Sequence, residues 1–329
     1  MQVYLYKLRF KGATHFGDTG IDLENVSEWV NSDTLFSAFV NALSARDGRN
    51  VATDFVNEFK ERPPFLLSSL FVYKEDKYFL PRPLYDEHIQ PDARRTIVKE
   101  LKRLKWLTGE GFCNWTSDIN LNSEKIQKIY ASSEEYKESF IAEIRPRVSL
   151  DRNNQNSEIY HCGYVYFNRD SGLYGLVAFS DLKVVEFFKG LLHNLGEIGI
   201  GGEKTYGCGM FEVKEFNEVS GILKEILIQK AQMFTLLSLY HPSSDEMLVV
   251  EDNLVAYEAV RRRGWISSGR YALPFKRKSV GFITEGSVLK TRPKGCLVDV
   301  TPDEISPDML EHRVYRYGYA FPAPFSQGE

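Results

Sequence analysis

The sequence predicts an α+β protein of two ferredoxin-like, RRM-like domains, residues 1–216 and 217–329, with a glycine-rich loop and a projecting β-hairpin thumb. Three observations carry this. The elements up to residue 216 run β-α-β-β-(insert)-β-α-β, a ferredoxin-like order with an insertion. Two extended runs flank a polar turn at Asp151–Ser157. Six of the fourteen residues Gly196–Gly209 are glycine.

The first strand is the alternating run at Met1–Phe10. Val3 and Leu5 face one way, Tyr4, Tyr6, Leu8 and Phe10 the other, so it is buried on both sides. Its charges at Lys7 and Arg9 exclude a signal peptide. A loop, Lys11–Gly20, follows. Asn31, Ser32 and Asp33 then offer N-cap side chains to a helix whose apolar face is Leu35, Phe36, Phe39, Val40 and Leu43. Phe65–Tyr73 and Lys77–Leu80 form a hairpin around Lys74–Asp76, ended by Pro81 and Pro83. Arg94–Leu107 reads as a basic helix, and residues 110–140 as loop and short helix. Arg145–Leu150 and Glu158–Phe167 are two strands, and Leu173–Phe179 another. Asp181–Leu195 is an amphipathic helix, and Met210–Phe216 the strand after the glycine loop. In the second segment, strands are expected at Met233–Tyr240, Val280–Thr284, Leu297–Val300 and Tyr315–Phe321, with Val255–Arg263 a short helix candidate. No sequence repeat links the halves.

Composition narrows the function. The chain has 329 residues, 43% hydrophobic and 26% charged, as in ordinary globular proteins. Its net charge of −4 argues against a free-standing nucleic-acid binder but not against one basic face. Cys113, Cys162, Cys208 and Cys296 form no CxxC pair and read as reduced cytoplasmic thiols. No apolar run approaches the ~18 residues of a membrane span.

The glycine loop fails as a nucleotide motif. Glu203 follows Gly202 where a P-loop needs lysine, and Lys204 sits where GxGxxG needs its third glycine. The loop also follows a helix and precedes a strand, the reverse of both motifs. Two readings remain: a flexible turn, or a nest of backbone amides for phosphate oxygens. In the second, Lys204 adds charge, Thr205 a hydroxyl and Tyr206 a ring for a base.

Further candidates are weighed by residue type. His15 is a possible general acid/base, or else an RNA contact or a structural hydrogen bond to the helix start at Ser32. Asp18, Asp22, Asp33 and Glu24 have no metal-ligand spacing, and Asp33 reads as a first-turn acid. His88, His161, His193, His241 and His312 show no metal motif. Six cations lie within Arg94–Lys105 beside Trp106. Arg261, Arg262, Arg263, Arg270, Lys276, Arg277 and Lys278 interleave with Trp265, Tyr271 and Phe275, a pattern suited to single-stranded RNA or to a protein surface.

A glycine-rich loop with a basic residue, after the last helix of a ferredoxin-like domain, resembles the RAMP superfamily of CRISPR proteins. His15-Phe16-Gly17, Ser32–Ala38, Leu80-Pro81-Arg82-Pro83 and Pro146–Arg152 together resemble the family of the fourth Csm subunit of type III-A effector complexes. Residues 1–216 carry the resemblance. It implies a non-catalytic subunit, without cofactor or metal, that holds the crRNA 5′ handle in antiviral defence. It implies contact with a large polymerase/cyclase-like subunit and a backbone RAMP subunit. The thumb would wedge between nucleotides, with Asp151–Ser157 as its tip. The RNA-binding residues it implies are His15, Arg147, Arg152, Gly199, Gly201, Gly202, Lys204, Thr205 and Tyr206, joined by Arg261, Arg262 and Arg263 from the basic segment. Glu203 opposes this unless it points away from phosphate. The rival expectation is a metal-independent endoribonuclease processing precursor crRNA, with His15 as its acid/base.

Overall fold

The computed structural model describes residues 1–17, 23–118, 120–150, 157–266, 275–303, 305, 310 and 312–326. Its centre is an antiparallel sheet. β1 (Gln2–Phe10) lies between β3 (Ser171–Phe179) and β4 (Phe211–Glu218). β2, in two pieces (Phe65–Leu67 and Phe71–Lys74), borders β3 on its far side. The order β4-β1-β3-β2, with α1 (Ser32–Asp47) and α2 (Val185–Ile198) in the two crossovers, is the ferredoxin-like arrangement.

The alternation of β1 sorts its side chains between two cores. Tyr6 and Leu8 pack with Phe36 and Phe39 of α1 and Phe188 and Leu191 of α2. Leu5, on the opposite face, joins Phe112 and Trp115 of helix Gly109–Ser117 and Ile126 of helix Ser123–Ser133. The sheet is therefore covered on both faces.

Several local expectations change. Residues 94–107 do not form one helix. Two short helices, Pro91–Thr96 and Val98–Arg103, break at Ile97 (φ −116°, ψ 28°), and Trp106–Thr108 is an edge strand. Trp106 stacks on Tyr136 with ring centroids 5.2 Å apart, so it does not interleave with the neighbouring cations. Val255–Arg263 is extended, as strands Leu254–Ala256 and Ala259–Arg262. The segment 110–140 is mostly helical.

The hairpin at 145–167 is longer than its sequence signal. Phe140–Leu150 and Ser157–Phe167 pair in unbroken register from Phe140↔Phe167 to Leu150↔Ser157. Its base is fixed by the exchange of backbone hydrogen bonds between Thr14 and Val165 (2.8 and 3.0 Å).

The C-terminal half carries a four-stranded antiparallel sheet ordered Leu254–Ala256, Val288–Leu289, Met233–Leu236, Pro322–Phe325. It shares its core with the N-terminal half. Tyr317 and Tyr319 sit in the α1 core, where the Tyr317 hydroxyl accepts from the Leu67 N–H (2.8 Å) and Tyr319 donates to the Phe59 carbonyl (3.0 Å).

A polar junction at the start of α1 also joins the halves. Asp33 is fully buried and paired with Arg262 (3.2 Å) and Arg316. Burial alone would raise its pKa, but the two guanidiniums outweigh that and hold it below the usual carboxylate range. Arg262 also donates to the Thr34 hydroxyl (3.1 Å), and the Leu239 N–H donates to Ser32 Oγ (3.1 Å). Asn31 occupies the N-cap position, yet its amide donates to buried Glu285 (3.3 Å) and caps nothing. A carboxylate in that place needs donors more than the helix end does.

Two outcomes follow. Asp33→Asn leaves two buried guanidiniums without a counter-charge and should cost about 3–5 kcal/mol, read from urea denaturation; a loss under about 0.5 kcal/mol, the range of surface substitutions, would show that the junction carries little. His88 is caged by Tyr85, Trp115 and Phe325, neither ring nitrogen finds a hydrogen-bond partner, and burial pushes its pKa down to about 4. An unfolded histidine takes its proton near pH ~6.5, the folded one only near 4, so stability is full above the first value and falls as pH drops towards the second, by up to about 3 kcal/mol. His88→Phe should flatten that decline; equal slopes in variant and parent would refute the assignment.

Candidate nucleic-acid interface

The site begins where α2 stops. Gly199 takes φ +86° at the helix end, and the chain folds back on itself. The Ile200 N–H donates to Gly209 O (3.0 Å), the Gly209 N–H to Ala13 O (2.9 Å) and the Gly202 N–H to His15 O (2.8 Å). Ile200 is buried beneath. The glycines allow this packing. Gly201 has φ +99°, and a Cβ there would lie 2.5 Å from the His15 carbonyl oxygen.

This narrows which amides the loop can offer a phosphate. The amides of Gly199, Ile200, Gly202, Tyr206, Gly207, Cys208 and Gly209 are engaged within the protein. The loop also presents side chains outward: Lys204, Thr205 and Tyr206 form one exposed 3₁₀ turn, with Tyr206 67% exposed.

His15 lies under the loop. It is buried, and its Nδ1 sits 2.9 Å from the Gly163 carbonyl oxygen, so that nitrogen carries the proton and donates. Cys162 Sγ lies 3.7 Å from the same nitrogen. His15 thus spaces the glycine loop from the base of the hairpin.

One face of the hairpin meets the loop. The Arg147 guanidinium lies 4.0 Å from the Tyr206 ring centroid and 5.3 Å from that of Tyr164, and it pairs with Glu203 at 2.6 Å. Arg145 lies over Tyr166 at 5.2 Å. Cations and rings alternating along a ribbon can hold phosphates and stack bases. The opposite face carries exposed Ile144, Val148 and Ile159. Tyr160, Tyr164 and Tyr166 at even positions of one strand, with Arg145 and Arg147 at odd positions of the other, are a period-two signal for this face that is legible in the sequence; of these five only Arg147 is among the residues expected there.

Other expected residues fall elsewhere. Arg152 lies outside the described residues. Arg261 and Arg263 are exposed, but Arg262 between them turns inward to Asp33, so its guanidinium is not offered to a ligand. Burial and the neighbouring Arg316 charge push Arg277 down to about 10. Lys276 lies over Trp265 at 5.2 Å, and Lys278 pairs with Asp303 at 2.5 Å. Among the described residues no histidine, cysteine and carboxylate cluster suits a metal ion, and no helix is long and apolar enough to cross a membrane.

Sheet order, ribbon and glycine loop after the second core helix together define a protein of the RAMP class. Residues 229–325 match the family described as the CRISPR Csm4 C-terminal domain. A Thermococcus onnurineus protein, CRISPR system Cms protein Csm4, is 30% identical over 299 residues, 88% of this chain and 90% of that one. A Mycobacterium tuberculosis protein of the same name is 25% identical over 295 residues, 88% of each chain. Among solved structures, the crystal structure of a Csm1-Csm4 cassette in complex with AMPPNP superposes with a TM-score of 0.61 at 22% identity, covering 100% of both chains. That of a Csm3-Csm4 subcomplex in the type III-A CRISPR-Cas interference complex gives 0.62 at 18%, covering 99% of this chain and 100% of the other. The chain belongs to the Csm4 family.

Gly201→Ala sets a side chain against the His15 carbonyl in a backbone conformation that L-residues avoid. It should cost about 1–3 kcal/mol and lower the melting temperature by several degrees; an unchanged melt would mean that the loop does not rest on His15.

Proposed function

We propose that this chain is a non-catalytic crRNA-binding subunit of a type III-A effector complex, that it holds the 5′ handle, and that it works in the cytoplasm in antiviral defence. The carrying observation is the meeting of hairpin and loop, where Arg147 lies on the ring of Tyr206, which shares an exposed turn with Lys204. Phosphates pair with the cations and a base stacks on the exposed ring. The net negative charge suits a subunit whose basic surface is confined to one side.

The relatives' structures support the partners. Csm4 chains are paired there with Csm1 and with Csm3. By that likeness, this chain joins a large polymerase/cyclase-like subunit to a backbone RAMP subunit. The geometry of His15 supports binding over the endoribonuclease alternative: the ring is buried, and one nitrogen is committed to the Gly163 carbonyl. A general acid/base must reach the proton it moves.

The test is titration of a fluorescent single-stranded RNA bearing the matching repeat sequence at several salt concentrations. Tyr206→Ala should weaken binding by about 1–3 kcal/mol because the base has no ring to stack on. Lys204→Glu should reduce the log–log salt slope by about 0.7, since one phosphate is no longer neutralised. Unchanged affinity and slope in both variants would remove the loop from the RNA site. His15-dependent cleavage of that RNA in EDTA would favour the nuclease.

A further inference from the structure

Glu203 stands where an RNA-binding loop should least want a carboxylate. It is also one of two non-glycine residues with positive φ among the described residues, at φ 53° and ψ 25°. Glycine would adopt that conformation without strain, and the loop around it is already rich in glycine. The side chain is therefore held there for what it does, and what it does is bind Arg147.

We propose that Glu203 holds the place of one RNA phosphate: its carboxylate occupies Arg147 in the free chain and yields that guanidinium to a phosphate of the bound strand. This deepens, and rests on, the RNA-binding reading above. A carboxylate and a phosphate present the same paired oxygen acceptors to a guanidinium. The pair is short, at 2.6 Å, and the two side chains are 21% and 19% exposed, so it is shielded from salt yet open to a competing anion.

Glu203 is not the only group beside Arg147. The rings of Tyr206 and Tyr164 lie 4.0 and 5.3 Å from its guanidinium and also hold it. Removing the carboxylate leaves a cation preorganised for an anion. The exchange also makes Glu203 a specificity-determining residue. A small free anion gains only what it displaces. A strand that pairs with Arg147 and also stacks a base on Tyr206 gains the stacking as surplus. Strands that cannot stack are rejected by the carboxylate, because discrimination is a difference of affinities.

The experiment is a double-mutant cycle on the full chain, read by fluorescence anisotropy with an eight-nucleotide mixed-sequence single-stranded RNA, each variant first checked by thermal melting. Glu203→Gln keeps the shape and removes the charge. It should bind this RNA about five- to tenfold tighter than the parent, as expected when a charge-assisted competitor is removed. In an Arg147→Ala background the same substitution should change affinity less than about twofold, because the exchange has no cation to act on. Equal tightening in both backgrounds would reveal general charge repulsion and overturn the proposal. So would weakened binding by Glu203→Gln, which would make Glu203 a support for Arg147. If Glu203→Gln binds like the parent while Tyr206→Ala weakens binding, the exchange is wrong and the RNA-binding reading stands. If parent and variants alike bind no RNA, both fall.

Discussion

The rest of the structure depends on one buried carboxylate. Asp33, in the first turn of α1, is clasped by Arg262 and Arg316, which arrive from strands more than two hundred residues later. Such a cluster adds little net stability over an apolar equivalent, because desolvating three charges offsets their attraction. What it supplies is placement. Only one position of the C-terminal strands satisfies both guanidiniums, and Ser32, Thr34 and Asn31 add their own bonds to that half. The start of α1 is therefore a joint between the halves before it is a helix cap.

A second joint lies beyond the end of α2. The His15 segment accepts backbone bonds from the glycine loop on one side and pairs with the hairpin base on the other. Loop, histidine and ribbon form one stack, and the exposed turn at Lys204–Tyr206 is its outer surface. The glycines serve the inside of this stack. The side chains of Lys204, Thr205 and Tyr206 are left on the outside.

This division explains what is legible in the sequence. Patterns with short-range causes can be read. The alternation of β1, the apolar face of α1 and the two long strands of the hairpin all reflect burial against a sheet or helix that any sequence with that period would meet. The companionship of His15, the glycine loop and the Arg147 strand is visible only through family resemblance. Residues whose role depends on a distant partner cannot be read. In Arg261-Arg262-Arg263 nothing marks the middle arginine as the buried one, since Asp33 decides it. Likewise Trp106 follows a run of cations and groups with them in sequence, whereas Tyr136 and Trp29 hold its ring. Ala259–Arg262 reads as helix because a four-residue strand is too short to show its period.

The hairpin has a consequence for supply. Ile144, Val148 and Ile159 face water along a two-stranded ribbon, and burying each such side chain is worth about 1.5–3 kcal/mol. The ribbon also has two outer edges, and Thr14 bridges one of them at its base. Edges of this kind, flanked by β-branched side chains, pair readily with their own copies. A chain made in excess of whatever covers the ribbon is thus exposed to self-association. The dosage of this subunit relative to the rest of its assembly becomes a matter of solubility as well as stoichiometry.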